Sequence, residues 1–161
     1  MTASGPLDEI LLKIVRDIAN YQFGRNAGEK IFPDDCRVEV SKRTGRPRYV
    51  YLRDEVIATI RYPDNLIALT PKGAERLRDA LGERAPRITV KREKVEKVRK
   101  GVSPAAGDMI ACSDAIRPGD EVLVESEDGE MLAVGRAIIS AQTMKEVGHG
   151  AIVKIRKTCK T

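Results

Sequence analysis

The chain has 161 residues, 42% of them apolar and 33% charged, with a formal net charge of +5; it is long enough for one full domain or two small ones. Three scattered cysteines (Cys36, Cys112, Cys159) and one histidine, His149, exclude a Cys-x-x-Cys zinc knuckle and argue against a disulfide scaffold or a tetrahedral metal site. No apolar run approaches a membrane span and the N-terminus lacks the basic-then-apolar order of a signal peptide, so a cytoplasmic protein with reduced thiols is expected.

In chain order, "LDEILLKIVRDIAN" (7–20) spaces Leu7, Ile10, Leu11, Ile14, Val15 and Ile18 by threes and fours, the apolar face of a helix that "YQFG" stops at Gly24. "RNAGEKIFPDD" reads as a loop. "CRVEV" alternates strictly, which turns Cys36, Val38 and Val40 inward on a half-buried strand. "SKRTGRPR" carries turn signals, and the strands "YVYL", "VIATIR" and "LIALT" follow, the last two separated by the turn "YPDN". Thr70-Pro71 opens a helix with an N-cap hydroxyl and a proline in its first turn; it presents Ala74, Leu77 and Leu81 inward and ends at Gly82.

"GERAP" marks the expected boundary between a first domain, 1–85, and a second, 86–161. Beyond it come a strand "RITV", a short charged helix "REKVEKVRKG" and the glycine-punctuated strands "DMIAC", "DEVLVES", "EMLAVGRAIIS" and "GAIVKIRK". Short strands with regular turn signals suggest a small barrel, so the fold class is α+β. Gly135 lies inside one of these strands. An interior glycine marks a bulge or the close approach of another backbone, either the protein's own or a ligand's.

The cationic excess is mild and spread over both halves, 15 Lys+Arg against 13 Asp+Glu in residues 1–85 and 14 against 11 in 86–161. A binding face must therefore come from local clusters. The densest is Lys91, Arg92, Lys94, Lys97, Arg99 and Lys100, with Glu93 and Glu96 interleaved; it reads either as a helix laced with ion pairs or as an RNA-backbone face. Lys42, Arg43, Arg46 and Arg48 crowd a hairpin tip around Thr44-Gly45, a possible second basic site. Lys154 and Arg156 point to one side of their strand. All six aromatic residues, Tyr21, Phe23, Phe32, Tyr49, Tyr51 and Tyr62, fall in the first 62 positions. The second domain therefore cannot stack nucleobases on rings and must read RNA through backbone, shape or ends. Asp34-Asp35 diverge in extended chain, Ser41 and Thr44 lack a base, and no glycine-rich phosphate loop precedes a helix and lysine, so no active site and no cofactor are assigned.

The segments "KGVSP" (100–104), "IRPGDEVLV" (116–124), "LAVGRAIIS" (132–140), Met144 and "GHGAIVKIR" (148–156) follow the order of a PUA domain. This is a small pseudo-barrel named for pseudouridine synthase and archaeosine transglycosylase, and the resemblance covers roughly residues 86–158. Together with "YQFGRNAGEKIFPDD", "VSKRTGRPRYV" and "IATIRYPDNLIALTPKGAERL", these segments make nearly the whole chain resemble the C-terminal region of archaeal tRNA-guanine transglycosylases. The catalytic barrel of those enzymes, with its aspartate pair and cysteine-rich zinc site, has no counterpart here. Val102 is followed by Ser103-Pro104 where the family often carries an aromatic residue.

The resemblance implies that the second domain holds tRNA at its acceptor stem and single-stranded 3′ end. Gly101 and Val102 fall in its signature, and Gly135 and Arg136 belong to or support that surface, where a guanidinium can clamp a phosphate. The expected binding set is Lys94, Lys97, Lys100, Gly101, Val102, Gly135, Arg136, Lys154 and Arg156. The expected role is a non-catalytic, stand-alone RNA-binding accessory. It would present tRNA to a separately encoded transglycosylase or archaeosine synthase, with the first domain as a docking spacer. A ribosome-biogenesis factor that binds precursor rRNA and proteins is the alternative.

Overall fold

The computed structural model describes residues 6–159. The chain divides into two compact units, Met1–Gly82 and Glu83–Thr161.

The first unit starts with helix α1 (Pro6–Phe23) and a short helix α2 (Ala27–Ile31), runs through the meander β1 (Cys36–Val40), β2 (Pro47–Leu52), β3 (Glu55–Ile60) and β4 (Ile67–Leu69), and closes with α3 (Pro71–Leu81). The sheet is antiparallel in the order β1-β2-β3-β4. Val38, Val50, Ala58 and Leu69 form one cross-strand row, and Val50, Ala58 and Leu69 are fully buried on the inner face. Thr70 caps α3 as its position demands: its hydroxyl accepts from the Gly73 amide at 3.2 Å and donates to the Val56 carbonyl at 2.9 Å. Ala74, Leu77 and Leu81 are buried, and Gly82 leaves the helix with φ +56°.

Two expectations need correction here. The buried stripe of α1 is Leu11, Leu12, Val15 and Ala19, whereas Leu7, Ile10 and Ile14 are 66%, 56% and 41% exposed. The helix is rotated relative to the stripe expected because α2 crosses it against Arg16: a Cβ placed on Gly28 would lie 2.2 Å from the Arg16 carbonyl oxygen. The expected loop therefore contains α2, pinned by that glycine contact, by the Arg16 guanidinium donating to the Phe32 carbonyl (2.8 Å), and by Arg76 of α3 donating to the Ile31 carbonyl (2.6 Å). One turn of helix is too short to show a period of 3.6 residues.

The second unit contains β5 (Arg87–Val90), α4 (Val95–Arg99), β6 (Met109–Cys112), β7 (Glu121–Ser126), β8 (Met131–Ala137), α5 (Ala141–Glu146) and β9 (Val153–Thr158). The sheet order is β6-β5-β7-β8-β9, with β5 parallel to β7 and every other pair antiparallel. Val98 of α4 and Met144 of α5 join Ile88, Val124, Leu132 and Ile152 in one apolar core. Helix α5 was not expected from the sequence. Its start is nonetheless written there: the Ser140 hydroxyl accepts from the Thr143 amide at 3.2 Å.

Candidate nucleic-acid interface

The charged segment after β5 folds as a 3₁₀ turn, Arg92–Lys94, followed by α4. Gly101 ends the helix at φ +91°, with its amide and that of Val102 turned back onto the Val98 and Lys97 carbonyls. The chain then runs alongside β9. The Ile155 amide donates to the Ser103 hydroxyl at 3.0 Å, the Ile152 amide to the Pro104 carbonyl, and Ala105 bridges to Ala151. The Ser103-Pro104 step thus works as a strap, tying the C-terminal end of α4 to the edge of β9. It brings Lys97, Lys100, Gly101 and Val102 to the same edge as Lys154. All five are exposed.

The ion pairs sort the expected cations. Lys94 lies 3.7 Å from Asp108, Arg92 is 3.4 Å from Asp128, and Arg99 is shared between Glu96 (3.3 Å) and Glu130. Each of these cations has a carboxylate neighbour within the unit. Among the described residues Lys97, Lys100 and Lys154 make no ion pair. Arg136 is exposed and lies against Gly119, whose hypothetical Cβ would sit 3.7 Å from the Arg136 terminal nitrogen. Gly119 itself takes φ +89° in the Pro-Gly turn.

Two residues of the expected binding set are engaged within the protein. Gly135 is buried between β7 and β9, and a Cβ on it would meet the Lys154 carbonyl at 2.4 Å. The backbone that comes close is the protein's own. Beside it the β8–β9 register shifts: Val134 opposes Lys157 and Gly135 opposes Ile155, which leaves Arg156 as the extra residue of a bulge. Glu121, Arg136 and Lys154 are direct cross-strand partners and share one face, so Arg156, which reaches Glu121, lies on the same side as Lys154, as expected, but with its charge engaged. Lys154 faces solvent, whereas Arg156 pairs with Glu121, a carboxylate only 1% exposed. The buried charge is met by a guanidinium, as burial of an anion requires.

The second basic site is distributed differently again. Lys42 and Arg43 are exposed in the β1–β2 turn, whereas the Arg46 guanidinium lies 5.6 Å from the centroid of the Tyr62 ring and that of Arg48 lies 5.1 Å from Tyr49. Among the described residues no group of three or more His, Cys, Asp or Glu side chains is gathered as a metal site, and no helix is long and apolar enough to cross a membrane.

Comparison with known proteins matches the two units to two different domains. Residues 13–84 match the patch-forming domain C2 of tRNA-guanine transglycosylase, and residues 86–158 match the PUA domain. The tRNA-guanine(15) transglycosylase of Methanothermobacter thermautotrophicus is 44% identical over 143 residues, covering 89% of this chain and 22% of the enzyme. That of Pyrococcus abyssi is 38% identical over 152 residues, covering 94% of this chain and 26% of the enzyme. The chain thus spans about a quarter of the length of these relatives. In structure it is similar to a hypothetical protein from Pyrococcus horikoshii, with a TM-score of 0.72, 23% identity, and coverage of 98% of this chain and 95% of that one. A conserved PUA domain protein from Thermoplasma acidophilum superposes with a TM-score of 0.63 at 16% identity, covering 94% and 89% of the two chains. The chain carries a PUA domain, and its two units correspond to the C-terminal domains of archaeal archaeosine tRNA-guanine transglycosylase.

Proposed function

We propose that this protein binds tRNA, gripping the acceptor stem and unpaired 3′ end along the α4–β9 edge of its PUA unit. It does so on behalf of a transglycosylase or archaeosine synthase catalytic subunit that is separately encoded. It is a cytoplasmic accessory, and it neither carries a cofactor nor performs chemistry. The observation that supports this most is the strap from Gly101 to Ala105. It aligns Lys97, Lys100 and Lys154, three cations without carboxylate partners, along one exposed edge next to main chain bared at Gly101. A phosphate backbone is the ligand that satisfies such a row, and each phosphate neutralised steepens the salt dependence of binding.

The test is charge reversal. The triple variant Lys97→Glu/Lys100→Glu/Lys154→Glu should lose more than roughly tenfold in tRNA affinity at moderate salt, about 1.4 kcal/mol. Its plot of log affinity against log salt should flatten by about 2 to 3 units of slope. Unchanged affinity would rule this edge out. Purification from cells should recover tRNA and a catalytic subunit; recovery of ribosomal precursors would favour the ribosome-biogenesis role.

A further inference from the structure

Helix α1 buries one apolar stripe and leaves a second in the open. Leu11, Leu12, Val15 and Ala19 form the buried stripe. Beside it, Leu7, Ile10 and Ile14 are exposed, Ile18 is half-buried and continues the row, and Tyr21, 83% exposed, ends it. These five residues follow one another at steps of three, four, four and three. At 3.6 residues per turn they fall within an arc of about 80° on one flank of the helix. Their open side chains present roughly 450 Å² per copy, the size of the largest patch on a typical monomer, and such patches are often functional.

We infer that this stripe is the contact face of a two-fold dimer, in which α1 lies antiparallel on α1 of a second copy and crosses it at Ile14. The spacing names the occupant. Steps of three, four, four and three read the same in both directions. A copy laid antiparallel with Ile14 on Ile14 therefore sets Leu7 against the partner's Tyr21 and Ile10 against the partner's Ile18. A two-fold contact requires that self-complementarity, whereas a groove on an unrelated protein places no such condition on the row.

Charge agrees with the same register. Lys13 and Asp17 border the stripe on the side away from the buried residues, paired at 3.1 Å and 75% and 60% exposed. In the antiparallel copy the partner's Asp17 comes within about 3 Å of Lys13 along the axis, at 1.5 Å rise per residue. Two pairs within single helices thus close into a ring of four alternating charges at the rim. The area sets the strength. Two copies cover about 900 Å² of apolar side chain, and the stems of Lys13 and Asp17 bring the contact just past the ~1,000 Å² that a specific interface needs. A contact of that size is reversible, with a dissociation constant on the order of 1–100 µM. The dimer goes beyond the tRNA reading above and does not depend on it.

Sedimentation velocity of the full chain over about 1 to 300 µM, which brackets that constant, should show the 17.8 kDa monomer converting reversibly to a species of twice the mass. Ile14→Lys sets two ammonium groups on the two-fold axis and should weaken association by at least about thirtyfold. The position is exposed, so the urea midpoint should not move. Lys13→Asp should weaken association about fivefold, and Lys13→Asp/Asp17→Lys should restore it. Crosslinking reads the register. Under mild oxidation Ile14→Cys should link to itself, because that position meets its own copy. Leu7→Cys should not, and should link only when mixed with Tyr21→Cys. The parent chain, whose three free cysteines are half-buried, supplies the background. A mass that stays at that of the monomer over the whole range overturns the assignment and leaves the stripe to a different protein. Association that survives Ile14→Lys overturns it by placing the contact elsewhere, and self-linking of Leu7→Cys overturns the antiparallel register.

Discussion

Replacing Gly135 with alanine tests the packing on which the PUA edge is built. Elsewhere in a strand the change from glycine would stabilise the fold by roughly 0.5–1 kcal/mol, because glycine loses more freedom on folding. Here the sign reverses. The new Cβ would stand 2.4 Å from the Lys154 carbonyl oxygen, 3.0 Å from Val153 Cγ2 and 3.1 Å from Ile155 Cα, where a separation under 3.0 Å is essentially never found. The first of these neighbours is main chain and cannot swing aside. β9 must therefore retreat by at least about 0.6 Å, and a ladder bond stretched that far from about 2.9 Å passes beyond hydrogen-bonding range. One such bond is worth about 1 kcal/mol net and overpacking costs about 1–3 kcal/mol. After the gain in chain entropy is subtracted, a net loss of about 2 kcal/mol remains. Urea unfolding of the full chain, followed through the transition of the second unit, should show a lower midpoint at unchanged slope. Gly135→Ala should also weaken RNA binding on the reading proposed above, because Gly135 precedes Arg136 and packs against the main chain of Lys154, its cross-strand partner. A variant as stable as the parent would refute the reasoning, since β9 would then be able to yield at no cost.

Three further outcomes are expected. Thr70→Ala removes both the α3 cap and the bond to Val56 and should lower stability by about 1–2 kcal/mol in thermal or urea unfolding. Arg156→Met strands the buried Glu121 carboxylate and should cost about 3 kcal/mol, whereas Arg156→Met/Glu121→Leu should recover most of it in a double-mutant cycle. Burial pushes the Cys36 thiol up to about 11, against the opposing pull of Arg76. The thiol is therefore neutral in the fold, its contribution to stability is complete below the ordinary thiol range near pH 9, and it is lost as the pH rises toward 11. Alkylation by iodoacetamide at pH 8 should be far slower at Cys36 in the native protein than in urea, and Cys36→Ser should flatten the alkaline loss of stability.

The elements were legible where the physics is local. Strict alternation in "CRVEV" and the Thr70-Pro71 cap each fixed an element whose pattern is complete within a few residues. What escaped depends on neighbours distant in sequence. Leu7, Ile10 and Ile14 have helical spacing as good as that of Leu12, Val15 and Ala19, and the packing of α2 at Gly28 and of the sheet against the helix decides which stripe is buried. Tyr49 and Tyr51 are visible as an alternating pair, but their approach to Arg37 requires the β1–β2 register. The turn that presents Tyr62 meets Arg46 only in the folded sheet.

Charge was the most misleading signal, and the structure shows why. Counting cations treats every Lys and Arg as available, yet a folded chain spends many of them on its own carboxylates. In the segment 91–100 the sequence offers six cations, and the fold commits Arg92, Lys94 and Arg99 to Asp128, Asp108, Glu96 and Glu130. Glu121 takes Arg156, and Glu125 takes Arg87 at 3.2 Å. Most of these partners come from β7 or from the β7–β8 turn, so the acidic run Glu121–Glu130 acts as the internal counter-charge of the PUA unit. Apart from Arg92, whose pair with Asp128 is exposed on both sides, those cations are poor targets for probing RNA affinity, because removing them disturbs the fold first. Lys97, Lys100 and Lys154, which the acidic run does not reach, are the positions where a change in charge reports on the ligand and not on the barrel.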